Sequence, residues 1–531
     1  MSFWKKGKKY VQKEGPMSEA KQRIKASLEE NIHYAKKVFK SDFDFSIRSF
    51  HVGRVRTAAA IYINSLIDQE MINQDIIRPL QELDKINDSR LEQKKLQWLL
   101  QDVLYHCSGE IVDDWNKLLE GLLHGKTVIM LEGGMEALLL DTYKPEKRGI
   151  QQPETERVIR GPRDGFIEQL SVNISLLRYR LPVPEFRIEP MEVGERTKTK
   201  IALCYLENIA NEQLIGEVKR RIKNIKIDRI LDAGYIEQFI EDNPRSPFPQ
   251  VQNTERPDKA AGNILEGRIT ILVDGSPSSL IVPSIFNQFY HTSEDYNERW
   301  LITSITRVIR FMALVFSLTF SSFYITVLSY HPEMIPAKFV VAASSGRAGV
   351  PFPVVIEVFI MEVAMEILRE ATVRMPQQVG GALSIVGVLV IGQAAVMAGF
   401  VSPITVVIIA LSTIGSFVTP SYNAATSFRM LRFPLIILSG AFGLLGLATG
   451  LMLIINHMLS LRSFGVPYLA PVTPWNYQGF KDSLIRAPLR WLMHRPAQLH
   501  TQNAVRAKTS MKMEKTNALQ GDKGENPNEQ T

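Results

Sequence analysis

Hydrophobic and polar positions divide this chain into two unlike parts. Residues 375–428 hold 54 consecutive positions without Asp, Glu, Lys or Arg, bounded by Arg374 and Arg429. A helix crosses the ~30 Å apolar thickness of a bilayer in ~20 residues, so the stretch is long enough for two passes. It breaks at Ser402-Pro403, between residues 381–401 and 404–417, which predicts a tight helical hairpin. Two further apolar runs, 308–328 and 434–455, are each long enough to span. Together they predict an all-α polytopic membrane domain over residues 300–460, with about four spans.

The first 300 residues are patterned differently. FDFSIRSFHV alternates like a strand, residues 57–67 form a short buried-strand pattern, and residues 71–83 and 91–104 carry apolar positions at helical spacing. Residues 126–142 are two apolar runs about Gly133-Gly134, a hairpin signature. A second copy follows. Tyr62, Leu66, Met71 and Ile72 are spaced as Tyr205, Ile209, Leu214 and Ile215, an offset of 143 residues, and VIMLEGGMEALLL aligns with TILVDGSPSSLIV at an offset of 142. Two matches at nearly one offset predict tandem α/β subdomains over 41–150 and 151–295, preceded by a charged leader, 1–40.

Between the copies, RGPRDGFIEQLSVNISLLRYR places Arg160 and Arg163 about a Gly-Pro turn ahead of a helix with Asp164 as its cap. Arginines there suit either an anion site or ion pairs at the subdomain seam.

In the membrane half, a Pro- and Gly-punctuated link leads to VVIEVFIMEVAMEILREAT, residues 354–372. Glu362, Glu366 and Glu370 recur every four residues on one helical face, with Glu357 near it. A carboxylate at bilayer depth must face water, a cation or another side chain. Two readings are open: an interfacial amphipathic helix whose acids pair with Arg369 and Arg374, or a pore-lining face that forms rings of negative charge in an oligomer. Glycines at three- and four-residue spacing, among them Gly381, Gly392, Gly443 and Gly446, suit close helix packing in lipid.

Composition adds limits. The mean hydropathy of −0.03 averages two unlike halves, and the net charge of +7 comes without the basic, aromatic-interleaved stripe of a nucleic-acid binder. Cys107 and Cys204 stand apart, with no zinc-type spacing. The Lys-rich start is not followed by an apolar signal region, so the N-terminal half is expected to stay in the cytoplasm. Residues 461–496 hold Arg462, Lys481, Arg486, Arg490 and Arg495 against one acid, Asp482, a positive-inside pattern that places both ends of the membrane domain on the cytoplasmic face and predicts an even number of spans. The glutamate helix is then expected not to cross fully. Residues 497–531 read as a disordered tail. No nucleotide-binding, metalloprotease or nucleophile-elbow motif occurs, so neither an enzyme nor a cofactor is indicated.

Long runs of the chain, including RGPRDGFIEQLSVNISLLRYR, NTERPDKAAGNILEGRITILVDG, HPEMIP, PFPVVIEVFIMEVAMEILREATVRMPQQVGGALSIVGVLVIGQAAV, SPITVVIIA and RSFGVPYLAP, resemble the A subunits of GerA-type germinant receptors of endospore-forming bacteria. The resemblance implies a spore inner-membrane subunit that works with a transporter-like B subunit and a lipoprotein C subunit to turn nutrient sensing into ion release. It also implies a homo-oligomer, with a pentameric channel proposed for such subunits, whose pore the glutamate helix would line. A relative encoded with stage V sporulation proteins, or a scaffold that conducts nothing, is the alternative.

Overall fold

The computed structural model describes residues 23–40, 42–53, 56–83, 95–104, 107–144, 152–374 and 392–506. Two five-stranded sheets carry the N-terminal half. The first joins β1 (Phe45–Val52), β2 (Arg56–Ile63), β3 (Gly109–Val112), β4 (Lys126–Leu131) and β5 (Ala137–Asp141) in the order β1-β2-β4-β5-β3. The second joins β6 (Phe186–Val193), β7 (Thr199–Leu206), β8 (Gln252–Thr254), β9 (Ile269–Val273) and β10 (Ser279–Val282) in the matching order β6-β7-β9-β10-β8. The two stretches aligned in the sequence fall on equivalent strands: β2 on β7, and the β4–β5 hairpin on β9–β10. Every pairing is antiparallel, so the tandem α/β expectation is corrected to antiparallel sheets layered with helices.

Both faces of each sheet are covered, which is why the inner strands read as unbroken apolar runs rather than alternating ones. One face of the first sheet packs Ala59, Ile61 and Val128 against α1 (Leu28–Phe39) and α2 (Trp115–Leu123). Its other face packs Ala58, Ile129 and Leu138 against Ile76, Leu80 and Leu99. The second sheet lies between α3 (Leu170–Arg180) with α6 (Pro257–Leu265) and α4 (Glu212–Lys223) with α5 (Ala233–Ile240).

The seam between the copies is ionic, but not where the sequence suggested. Arg178, fully buried, donates Nη2 to Asp42 at 2.6 Å and Nη1 to Phe186 O at 3.1 Å. Arg187 reaches Phe39 O at 2.6 Å and Glu207 at 2.9 Å. Arg160 instead pairs with Glu298 at 3.3 Å, and Arg163 is exposed. Asp164 does not cap α3, whose N-cap is Gln169; it pairs with Arg180 at the other end of that helix.

The C-terminal half is helical. Among the described residues, two helices are long and apolar enough to cross a membrane, α7 (Trp300–Tyr330) and α11 (Tyr422–Ser460). Between them lie α8 (Ala337–Arg347), α9 (Val354–Arg374) and the 15-residue α10 (Pro403–Phe417). The first arm of the expected hairpin, with Gly381, falls mostly outside the described residues.

The expected last span is not one rod. Gly443 has φ +60° and ψ −134°, and the chain folds back there. A Cβ on Gly446 would collide with Leu438 O, and one on Gly450 with Leu435, pairs that a straight helix would hold ~12 Å and ~22 Å apart. Phe248 of the second subdomain lies 5.3 Å from Phe428 and 6.0 Å from His457, so both arms end at the same place. Gly392 meets Val406 in an ordinary contact at 3.6 Å.

The expected boundary at 496 is also corrected. Residues 497–506, assigned to the tail, are ordered: Gln502 donates its backbone N–H to Ile209 O and its amide to Ala210 O, both at 2.9 Å.

Gly443 is the position most sensitive to a side chain. Its backbone lies in the left-handed half of φ space, and a Cβ would sit 2.8 Å from the Tyr330 ring. Gly443→Ala is expected to cost ~1–3 kcal/mol, read as a lower melting temperature of the purified protein, whereas Gly349→Ala, which meets nothing within 4 Å, should leave it unchanged.

Candidate functional site

The glutamate helix α9 runs antiparallel to α7 and parallel to α10. Its start lies beside Ser402, where α10 begins, and its Arg369 reaches Ser416 near the end of α10. Each of its four acids meets an arginine. Glu357, fully buried, pairs with Arg347 at 3.0 Å and accepts from Ser402 N and Thr405 Oγ1, both at 3.0 Å. Glu362, 4% exposed, pairs with Arg432 at 3.0 Å and accepts from Ser321 Oγ at 2.7 Å. Glu366 lies 3.5 Å from Arg429 and 3.8 Å from Arg369. Glu370 pairs with Arg374 at 2.6 Å, both exposed.

This separates the four acids into two kinds. Glu357 and Glu362 are held inside one chain by full sets of partners, so they do not lie on a surface that neighbouring copies could share. Their burial follows from cost: an unpaired carboxylate in an apolar bundle is several kcal/mol unfavourable, and a hydrogen-bonded arginine offsets that. Glu366 and Glu370 keep water-accessible carboxylates. Three arginines, 369, 429 and 432, face two glutamates, 362 and 366, so this end of the bundle carries a surplus cation.

A second ionic cluster joins the bundle to the second subdomain. Asp295, 3% exposed, accepts from Arg307 Nε at 2.8 Å and from both terminal nitrogens of Arg310, at 3.2 and 3.1 Å. Burial would raise the Asp295 carboxyl, but Arg310 and Arg307 outweigh it and hold the group below its usual range. Arg307 continues to Asp482 Oδ1 at 2.8 Å, and Tyr296 donates to the other oxygen of Asp482 at 2.8 Å. Arg486 donates to Glu298 O at 3.1 Å. Burial and the nearby Arg307 push His291 down to about 3, so the ring is neutral and its Nε2–H donates to Ser483 O at 2.9 Å.

Sequence reasoning missed this junction. Two signals pointed to it: Arg307 and Arg310 sit three residues apart at the start of an apolar helix, and Asp482 is the single acid of a basic segment. Read together, the cations needed that acid.

The fold and the site thus define a two-part protein: paired antiparallel subdomains, tied by a buried arginine–aspartate junction to an apolar helical bundle that contains its own ion pairs. A family model described as "Bacillus/Clostridium GerA spore germination protein" matches residues 33–498. The chain is 43% identical to spore germination protein KA of Bacillus subtilis (strain 168), over 91% of this chain and 88% of that one. It is 35% identical to spore germination protein GerLA of Bacillus cereus, over 90% and 97%, and 38% identical to the uncharacterized membrane protein YfkQ of Bacillus subtilis (strain 168), over 89% and 91%. Among solved structures, the N-terminal domain of the A subunit of the Bacillus megaterium spore germinant receptor GerK3 aligns at 32% identity, covering 50% of this chain and 98% of that one, with a TM-score of 0.40. The chain belongs to the GerA family of spore germination proteins.

Two outcomes test the ionic assignments. Glu362→Gln or Arg432→Gln alone leaves a buried charge unpaired and is expected to lose ~3–5 kcal/mol, seen as low abundance; the double variant should recover much of it. For His291 the folded value lies below the unfolded one, so its contribution is present above pH ~6.5 and lost as pH falls. Acidification from pH 6.5 to 5 should therefore cost ~2 kcal/mol through this group, and thermal melts of His291→Asn should show a shallower acid slope than the parent.

Proposed function

We propose that this chain is the A subunit of a nutrient germinant receptor in the spore inner membrane, coupling germinant sensing to ion release. The observation that carries this reading is a buried ionic junction, Asp295 with Arg307, that ties the second subdomain to a bundle whose glutamate helix pairs acids with arginines along its length. Membership of the family supports the germination role. A transporter-like B subunit and a lipoprotein C subunit are its partners in this reading.

The bundle is the membrane part. Its exposed side chains, among them Ile305, Met312, Ile414, Phe442, Leu445 and Met452, are apolar enough for lipid or neighbouring copies. Arg307 at the start of α7 and both ends of α11 lie against the second subdomain, which supports a reading in which both termini of the membrane domain lie on one side, the cytoplasmic or spore-core side. In a homo-oligomer, a pentamer for example, cation selectivity would come from Glu366 and Glu370, the two acids whose carboxylates reach water; Glu357 and Glu362 brace the helix that presents them. The accessory reading, a scaffold that conducts nothing, predicts that none of the four acids affects ion flux.

Potassium release from spores distinguishes the two. Glu366→Gln and Glu370→Gln are expected to slow release or change cation preference at unchanged protein abundance on immunoblot. Normal release from the Glu366→Gln, Glu370→Gln double variant at normal abundance would leave the scaffold.

A further inference from the structure

A cavity of about 830 Å³ lies where the second subdomain, the junction and the C-terminal segment meet. Its walls come from α6, from the stretch 285–297 before α7, and from residues 471–506. That volume is within the range of sites for drug-sized ligands.

Three residues lining it each carry a buried side-chain atom with no hydrogen-bond partner among the described residues: Arg268 Nε, Ser293 Oγ and Gln498 Oε1. Arg268 is 2% exposed, and its other nitrogens reach Pro283 O at 2.6 Å and Glu266 at 3.6 Å. An unused donor on a buried guanidinium is costly, and a bound acceptor would satisfy it. The lining holds five cations, Lys259, Arg268, Lys481, Arg495 and Arg506, against three carboxylates, Asp258, Glu266 and Asp482, a surplus of two. Counting the outside partners Arg256 of Asp258 and Glu156 of Lys259 adds one charge of each sign and leaves that surplus unchanged. Lys481 has no carboxylate within ion-pair distance among the described residues; its ammonium lies 5.1 Å from the Tyr477 ring centre. Trp491 and Tyr296 give the same cavity aromatic surface.

We propose that this cavity binds a small organic oxyanion with a flat body, its phosphate or carboxylate head between Lys481 and Arg268 and its body against Trp491 and Tyr296. Tyr296 and Asp482 belong to both the cavity wall and the junction, so a bound head would place its negative charge beside the acid that ties down α7. The site is new to the subunit reading and does not depend on whether the bundle conducts ions.

Isothermal titration of the full chain in lipid nanodiscs tests it with three probes: AMP, adenosine and nicotinate. AMP binding with adenosine at least ~10-fold weaker identifies a phosphate head, a difference of ~1.4 kcal/mol; nicotinate binding in place of AMP identifies a carboxylate head. In either case Lys481→Gln should weaken binding ~10-fold without changing the melting temperature, and Arg268→Gln, provided it folds, should do the same. Absence of binding by both anions, or equal binding of AMP and adenosine, or affinity unchanged in Lys481→Gln, overturns the proposal.

Discussion

Two arginines buried at the root of an apolar helix set the terms for the rest of this molecule. Arg307 and Arg310 cannot be left unpaired without a penalty of several kcal/mol, and α7 offers no acid of its own. Asp295 comes from the end of the second subdomain and Asp482 from the segment after the last helix, so the arginines gather three separate parts of the chain. The C-terminal segment therefore closes as a strap. Ser463 Oγ donates to Gln250 O at 2.6 Å and Arg495 Nε to Leu265 O at 2.8 Å, which lays the strap against the second sheet and its helix. Loosening it would expose Arg307, so strap and bundle respond together.

The same rule governs the bundle's interior. Glu357 and Glu362 accept hydroxyl or amide hydrogens as well as arginine, which satisfies most of their lone pairs and makes their pairs rigid. In the second half of α9 the carboxylates of Glu366 and Glu370 are more exposed, and Glu366 stands 3.5 and 3.8 Å from its arginines. A graded helix of this kind has a braced half and a responsive half, and only the second can exchange partners at small cost.

Much of this was written locally in the chain. The β4–β5 hairpin follows from apolar runs about Gly133, which turns at φ +75°, and its counterpart follows from Gly275 at φ +83°. The 142- and 143-residue offsets reported the duplicated sheets because core strands covered on both faces keep their apolar pattern. Strand direction was not legible, since an inner strand buried on both sides looks alike whether its neighbours run parallel or antiparallel. The acids of α9 were legible as a face, and Arg369 and Arg374 as local partners, but the partners of the buried acids were not: Arg432 is 70 residues from Glu362, and no local pattern records that distance. The fold-back at Gly443 was hidden among other glycines spaced for helix packing, because composition alone does not distinguish a glycine that admits a neighbour from one that reverses the chain.

Duplication without symmetry completes the argument. Both copies have the same strand order, yet the junction is built from the second alone: Asp295 follows its last strand, and the strap covers the neighbourhood of its short edge strand β8. The first copy is held to the second by Arg178 and Arg187, which bind Asp42 and the carbonyls of Val38 and Phe39. Among the described residues, a displacement of the first copy thus reaches the bundle through the second, across two ionic seams in series. Each seam is a cluster of buried charges that tolerates exchange of partners but not their loss, and such clusters favour discrete arrangements over gradual deformation. In the proposed receptor reading, a chain built this way would carry a change of state from the first copy to the foot of α7 in steps, with Arg307 as the residue of α7 that registers it.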